Sequence, residues 1–162
     1  DKREYRLRDV LQEVKDRYDY ILIDCPPSLS ILTVNGLVAA KHGVIIPVQC
    51  EYLALEGLGQ LTQTLNRVRG SLFPELQVRG VVLTMYDGRT RLAGDVVAEV
   101  RNHFGDQVFQ SIIPRSVRLA EAPSYGIPVS LYAPDSSAAK AYSALAREVL
   151  EQDGIHIPVL QS

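Results

Sequence analysis

Tyr20-Ile21-Leu22-Ile23-Asp24, followed at once by Cys25-Pro26-Pro27, is the stretch on which the fold turns. Four apolar residues in a row suit a strand covered on both faces, as parallel sheets require, better than the alternating strand of an antiparallel sheet. The acid closes the run. Two prolines beyond it can neither prolong a ladder nor sit inside a helix. The expectation is a buried strand over 20–24 with Asp24 at its carboxyl tip.

Working outward, Leu7, Val10, Leu11 and Val14 recur at helical spacing among charges, which predicts an amphipathic helix over 5–17. Downstream, a helix over 31–40 leads into a second buried strand, Val44-Ile45-Ile46-Pro47-Val48. Strand, helix and strand within about thirty residues is the βαβ unit of a parallel sheet. The alternation continues with a helix over 54–69, a strand over 80–84, a helix over 92–104 and a strand over 108–113 that ends at Pro114. A short helix over 117–122, an extended piece over 128–131 and a final helix over 136–151 complete it. The sequence therefore predicts an α/β fold, a mostly parallel sheet flanked by helices, in one domain over 1–154. Residues 155–162 lack periodicity and are expected to be a mobile or surface-packed tail. There is no repeat, linker or low-complexity tract.

Composition removes several classes of function. The 162 residues are 46% hydrophobic and 22% charged with a formal net charge of -2, which suits a globular protein and leaves nucleic-acid binding to local patches. No apolar run approaches the roughly 18 residues of a membrane span. Cys25 and Cys50 each follow an apolar run and are expected as reduced thiols. His42, His103 and His156 lie on different elements without ligand spacing, and neither cysteine has a neighbouring histidine to activate it. A zinc centre and a nucleophilic hydrolase are both disfavoured. Arginine outnumbers lysine and comes in pairs, Arg89/Arg91 and Arg115/Arg118, where planar guanidiniums serve either phosphate contacts or surface ion pairs.

Ligands of open parallel sheets collect beyond the carboxyl ends of the strands. Here those ends carry Asp24-Cys25-Pro26-Pro27, Gln49-Cys50-Glu51, Thr84-Met85-Tyr86-Asp87 and Pro114-Arg115. An aspartate at such a tip is placed as a Walker B acid is placed, to hold Mg²⁺ directly or through its water. The same residue also serves simply to end a strand.

Longer strings narrow the choice. Tyr18-Asp-Tyr-Ile-Leu-Ile-Asp-Cys-Pro-Pro-Ser28, Ile46-Pro-Val-Gln-Cys-Glu-Tyr-Leu-Ala-Leu-Glu-Gly-Leu58, Gly80-Val-Val-Leu-Thr-Met85 and Ile113-Pro-Arg-Ser-Val-Arg-Leu-Ala-Glu-Ala-Pro-Ser124 resemble, in the same order, successive stretches of the ParA/Soj family of DNA-partitioning P-loop ATPases. The resemblance runs from about Tyr5 to Gly154. It implies a nucleotide-switched homodimer that binds ATP and Mg²⁺, contacts DNA without reading sequence, answers to a centromere-binding ParB-type protein and works in the cytoplasm on the nucleoid. By resemblance, Asp24 is the Walker B acid and metal ligand, Pro27 and Ser28 lie in the γ-phosphate sensing segment, and Met85, Pro114, Arg115 and Ser116 border the base. Core filling and strand termination are the competing roles for Met85 and Pro114. Ser116 departs from the asparagine often found at its position. Arg89 and Arg118 match the DNA-contacting arginines, with Arg91 and Arg115 as possible helpers. A cell-division ATPase of the MinD kind shares the fold but reaches membranes through a C-terminal amphipathic helix, and the tail here contains Pro158 and no basic face.

A phosphate-binding loop needs Gly-x-x-x-x-Gly-Lys-Ser/Thr, and no Gly-Lys pair occurs among Lys2, Lys15, Lys41 and Lys140. The family carries that loop upstream of the matched region, on a strand lying between the Walker B strand and the Val44–Val48 strand. The chain is accordingly expected to be a portion of such an ATPase, or a partner-docking or dominant-negative module. It is expected not to hydrolyse ATP alone and to self-associate through the strand edge left open.

Overall fold

The computed structural model describes residues 2–26, 28, 30–71 and 73–157, at 53–56, 58 and 61 through the backbone alone. Its regular elements are α1 (Arg6–Leu11), α2 (Ile31–Ala39), β1 (Val44–Gln49), α3 (Tyr52–Ser71), β2 (Val78–Tyr86), α4 (Arg91–Phe104), β3 (Val108–Pro114), α5 (Val117–Glu121), α6 (Val129–Tyr132) and α7 (Ser137–Gln152). The strands form one sheet in the order β1-β2-β3. The pair β2 and β3 is parallel. Along β1, Val44 N–H meets Gln77 O at 2.9 Å and Cys50 N–H meets Thr84 O at 2.8 Å, so β1 and β2 advance together as well. The chain divides into two compact units, 1–45 with 56–79 and 46–55 with 80–162.

In the first unit the expected 5–17 helix is broken. α1 stops at Leu11, and bonds of the i to i+3 kind come after it, from Glu13 N–H to Val10 O and from Val14 N–H to Leu11 O, before a 3₁₀ turn over Lys15–Arg17. Asn35, the buried polar residue of α2, holds this segment: its Oδ1 accepts Leu7 N–H at 3.1 Å, and its Nδ2 donates to Arg3 O at 3.0 Å and Ile31 O at 2.9 Å. The strand expected over 20–24 does not form. The segment belongs to no ladder among the described residues, and Leu22 is 87% exposed. An apolar strand is stable only with neighbours on its edges and faces, and none of the three described strands pairs with this segment.

The second unit holds most of the core. β2 is the central strand and is buried continuously from Gly80 to Leu83, which explains its apolar run. The apolar run of β1 predicts burial throughout, yet only Ile46 and Val48 are covered while Ile45, Pro47 and Gln49 are exposed. It lies at the end of the strand order, where Pro47 costs the ladder least. α4 presents Ala93, Val96 and Val100 inward. α7 lays Ala141, Leu145 and Val149 on Val82, Phe109 and Ile113. Gly80 is required here because a Cβ would enter the ring of Phe109. Over 128–131 the expected extended piece is instead the one-turn helix α6, whose Val129 packs with Ala122, Ala138 and Ala139.

The β2–β3 ladder contains two register shifts. From Val81 to Leu83 on β2 the partners advance from Val108 to Ile112 on β3, so β3 carries surplus residues there. The amides of Gln110 and Ser111, in that surplus, each donate at 2.7 Å to one oxygen of Glu148 on α7. A single carboxylate thus satisfies two consecutive backbone donors with charge-assisted bonds. Glu148→Ala is expected to lower stability by about 1–3 kcal/mol, whereas Glu151→Ala, at an exposed position of the same helix, changes it by less than about 0.5 kcal/mol. Urea unfolding of the two variants measures the difference.

Candidate functional site

The second register shift prepares the site. From Leu83 to Tyr86 on β2 the partners advance only from Ile112 to Pro114, which leaves one extra residue on β2. In this interval lies Met85, at φ 56°, the non-glycine residue with left-handed backbone among those described. A bulge with a left-handed residue turns the strand end and re-aims the side chains beyond it. Past the bulge Tyr86 O accepts Arg115 N–H at 2.8 Å, so the ends of β2 and β3 remain tied together.

Tyr86, Asp87, Gly88, Arg89, Pro114 and Arg115 line a concavity of about 390 Å³ at this carboxyl end. It carries two guanidiniums, and each meets a carboxylate. Arg115 Nη2 bonds Glu51, the residue after β1's last ladder contact. Arg89 places Nε on Asp87 Oδ1 at 2.8 Å and Nη2 on Oδ2 at 2.7 Å, and its own N–H donates to the same Oδ1 at 3.1 Å. These bonds, with smaller help from the charge of Arg115, hold the Asp87 carboxyl well below the usual carboxylate range. Asp87 O in turn accepts from Thr90, whose hydroxyl caps α4 by accepting Ala93 N–H at 3.3 Å. The loop 87–90 is therefore a closed set of local bonds that presents an arginine.

Arg118, on α5, donates to Glu121 Oε2 at 3.1 Å, and Tyr132 hydroxyl donates to that oxygen at 3.0 Å. Ser116 stands at the N-cap position of α5 without a capping bond from its side chain. Tyr132 also stacks on Tyr125, with ring centroids 5.0 Å apart.

In the first unit Asp24 lies in an exposed, irregular segment rather than at a strand tip, because the segment that would carry it joins no ladder. Its charge adds to burial, the larger cause, in pushing the Cys25 thiol upward; burial alone does so for Cys50. Both thiols are free, as expected, and neither is activated. Thr33 Oγ1 donates to Pro26 O at 3.3 Å and bonds Ser28 O, while Ser30 caps α2. The turn after Asp24 is thereby fastened to the start of a helix. Cys25 Sγ lies so close to Gly36 that a side chain there would strike it. Pro27 falls outside the described residues.

The sequence pattern puts Pro114 and Arg115 at a strand end and Arg89 in a loop, where the structure has them, but does not disclose Glu51 and Asp87 as companions of the arginines. The signal for Asp87 is present: an acid two residues before an arginine, with glycine between, is a turn that folds one side chain onto the other.

A family model described as an AAA domain matches residues 1–78. The chain is 56% identical over 152 residues to the chromosome-partitioning ATPase Soj of Treponema pallidum, covering 94% of this chain and 60% of that protein. It is 54% identical over 154 residues to the chromosome partitioning protein ParA of Caulobacter vibrioides, covering 94% of this chain and 57% of that one. The chain belongs to the ParA/Soj family. It spans about three-fifths of the length of these curated relatives. Among solved structures, cobyrinic acid a,c-diamide synthase from Mycobacterium smegmatis, with bound ATP analog and magnesium, superposes with a TM-score of 0.75 at 35% identity, over 99% of this chain and 60% of that one. The fold of this ParA/Soj chain is that of the ParA/MinD-type P-loop NTPases.

ATP and Mg²⁺ fit the residues in part. Among the described residues no three acidic, histidine or cysteine side chains group to cage a metal. Mg²⁺ is commonly held by one or two carboxylates plus phosphate oxygens and water, and Asp24 is the carboxylate the sequence offers for it. The concavity has the size of a small-ligand site. For the phosphates the chain has no Gly-Lys loop. Among the described residues no helix is long and apolar enough to cross a membrane.

Because the Asp87 carboxyl is depressed, the stability its fork provides is complete above the ordinary aspartate pKa of about 3.9 and is lost only as pH falls through the lower folded value. In a carbon-13 titration, Asp87 is expected to stay ionised at pH 3, and in Arg89→Ala to protonate at higher pH. Identical titration in both would contradict the fork.

Proposed function

We propose that this chain is the switch and DNA-contacting portion of a chromosome-partitioning ATPase. The observation that carries the reading is its identity to Soj and ParA along 94% of its length. In this reading Asp24 holds a water of the Mg²⁺ that accompanies ATP, from a segment ordered when a neighbouring strand pairs with it. Pro27 and Ser28 follow the γ-phosphate, and the Thr33 and Ser30 bonds transmit their position to α2. Met85, Pro114, Arg115 and Ser116 border the base, with the Glu51 bond keeping the Arg115 guanidinium to one side.

Arg89 and Arg118 take DNA phosphates without reading sequence, as the absence of aromatic residues interleaved with them suits. The complete protein works as a homodimer in the cytoplasm, on the nucleoid, and a centromere-binding ParB-type protein stimulates it. A lysine-bearing phosphate loop supplies most of the electrostatic grip on the β- and γ-phosphates. The chain as it stands is accordingly inactive in hydrolysis.

Calorimetric titration with Mg²⁺-ATP tests this, on the chain and on a form extended at its N-terminus by the family's phosphate-binding segment. Binding by the extended form, at least tenfold tighter than by the chain and weakened by Asp24→Ala, is the expected result. Tight binding by the chain alone would place the phosphates elsewhere and overturn the assignment.

A further inference from the structure

Both arginines proposed to meet DNA are already engaged by carboxylates of this chain. Arg89 is 88% exposed at its side chain, yet its guanidinium lies fork to fork on Asp87 at 2.8 and 2.7 Å. That is the arrangement in which arginine receives a phosphate. Arg118 donates to Glu121 at 3.1 Å across one turn of helix, and Tyr132 hydroxyl holds the same carboxylate oxygen in place at 3.0 Å. The carboxylates are themselves anchored, Asp87 by the amide of Arg89 and Glu121 by Tyr132. Arg89 is thus held in a shape that a phosphate oxygen pair would match, while Arg118 is tethered to its carboxylate through a single N–H.

We propose that Asp87 and Glu121 are built-in competitors of the DNA backbone, occupying the guanidiniums of Arg89 and Arg118 and so limiting the affinity these arginines deliver. The proposal rests on the reading of Arg89 and Arg118 as DNA contacts. Its physical basis is an exchange: a phosphate that takes Arg89 must displace a carboxylate at the same N–H groups, so part of each new contact replaces an old one. An exposed pair is easily displaced, so binding proceeds, weakened by a small factor per site. The exchange also mutes the salt dependence, because an arginine already neutralised by a carboxylate contributes less to counterion release than a free one.

The test is fluorescence anisotropy with a labelled mixed-sequence duplex across a salt series, on the chain and on its extended form with Mg²⁺-ATP. Asp87→Asn keeps an oxygen for the Arg89 amide, so the turn survives, and Glu121→Gln keeps an acceptor for Tyr132. Asp95→Asn, at an exposed position of α4, removes the same charge away from the fork. The expected result is a gain of about two- to fivefold for Asp87→Asn and for Glu121→Gln. A steeper salt slope should accompany it, with a clearly smaller gain for Asp95→Asn and none for Asp87→Asn in an Arg89→Ala background. A gain for Asp87→Asn and Glu121→Gln no larger than for Asp95→Asn, or one that survives Arg89→Ala, would overturn the competition while leaving the DNA reading intact. Weaker binding in both would show that the carboxylates only position the arginines, and would overturn it equally. Unchanged binding in Arg89→Ala and Arg118→Ala would sink the DNA reading, and this proposal with it.

Discussion

Every backbone N–H taken out of water needs a partner, and the β2–β3 ladder, with two register shifts, cannot meet that demand by strand pairing alone. The two strands are not matched in register: β3 runs ahead in its middle and β2 near its end. The surplus on β3 is absorbed by Glu148, which reaches from α7 to two neighbouring amides. The surplus on β2 is absorbed by Met85, which leaves the strand conformation altogether. The two bonds to α7 and the direction of the loop after β2 both answer that mismatch. So does the site, since Tyr86, Asp87 and Arg89 are aimed by the residue that corrects the register.

Much of the fold can be read from the residues because the deciding interactions are local or periodic. β2 and β3 are apolar runs closed by Gly, Pro or a polar cluster, and α4 and α7 begin at Thr90 and Ser136, whose hydroxyls cap them as such residues do. The failures share one cause, dependence on partners that a local pattern cannot see. Tyr20–Asp24 has a strand's composition, but a strand is a relation between segments, and among the described residues this one joins no ladder. Val129–Leu131 comes after Pro128 and has the look of an extended piece, yet Pro128 O accepts the amides of Leu131 and Tyr132 and a helical turn begins. The helix expected over 5–17 rests on periodicity alone. Its anchor, Asn35, lies 28 residues from the Leu7 amide that it holds.

The candidate site divides in the same way. Asp24 and Arg115 are visible as residue types at expected strand ends and Arg89 and Arg118 in expected loops or helix starts, and the family resemblance names their roles. What the sequence cannot show is that Arg115 comes already accompanied. Glu51 and Arg115 are 64 residues apart and meet only because β1 and β3 end at the same side of a parallel sheet. Asp87 and Arg89 are near enough that turn chemistry alone anticipates their pairing.

Met85 carries a consequence for the protein's freedom to change. It is flanked by threonine and an aromatic, in a strand otherwise rich in valine, so valine or isoleucine would be natural replacements by strand preference. The left-handed backbone at that one residue excludes just those side chains, because branching at Cβ crowds the carbonyls on either side. Glycine and asparagine adopt this conformation readily, but neither brings an apolar side chain of comparable length. Methionine, unbranched at Cβ, escapes that crowding, and the apolar residues open to this position are correspondingly few.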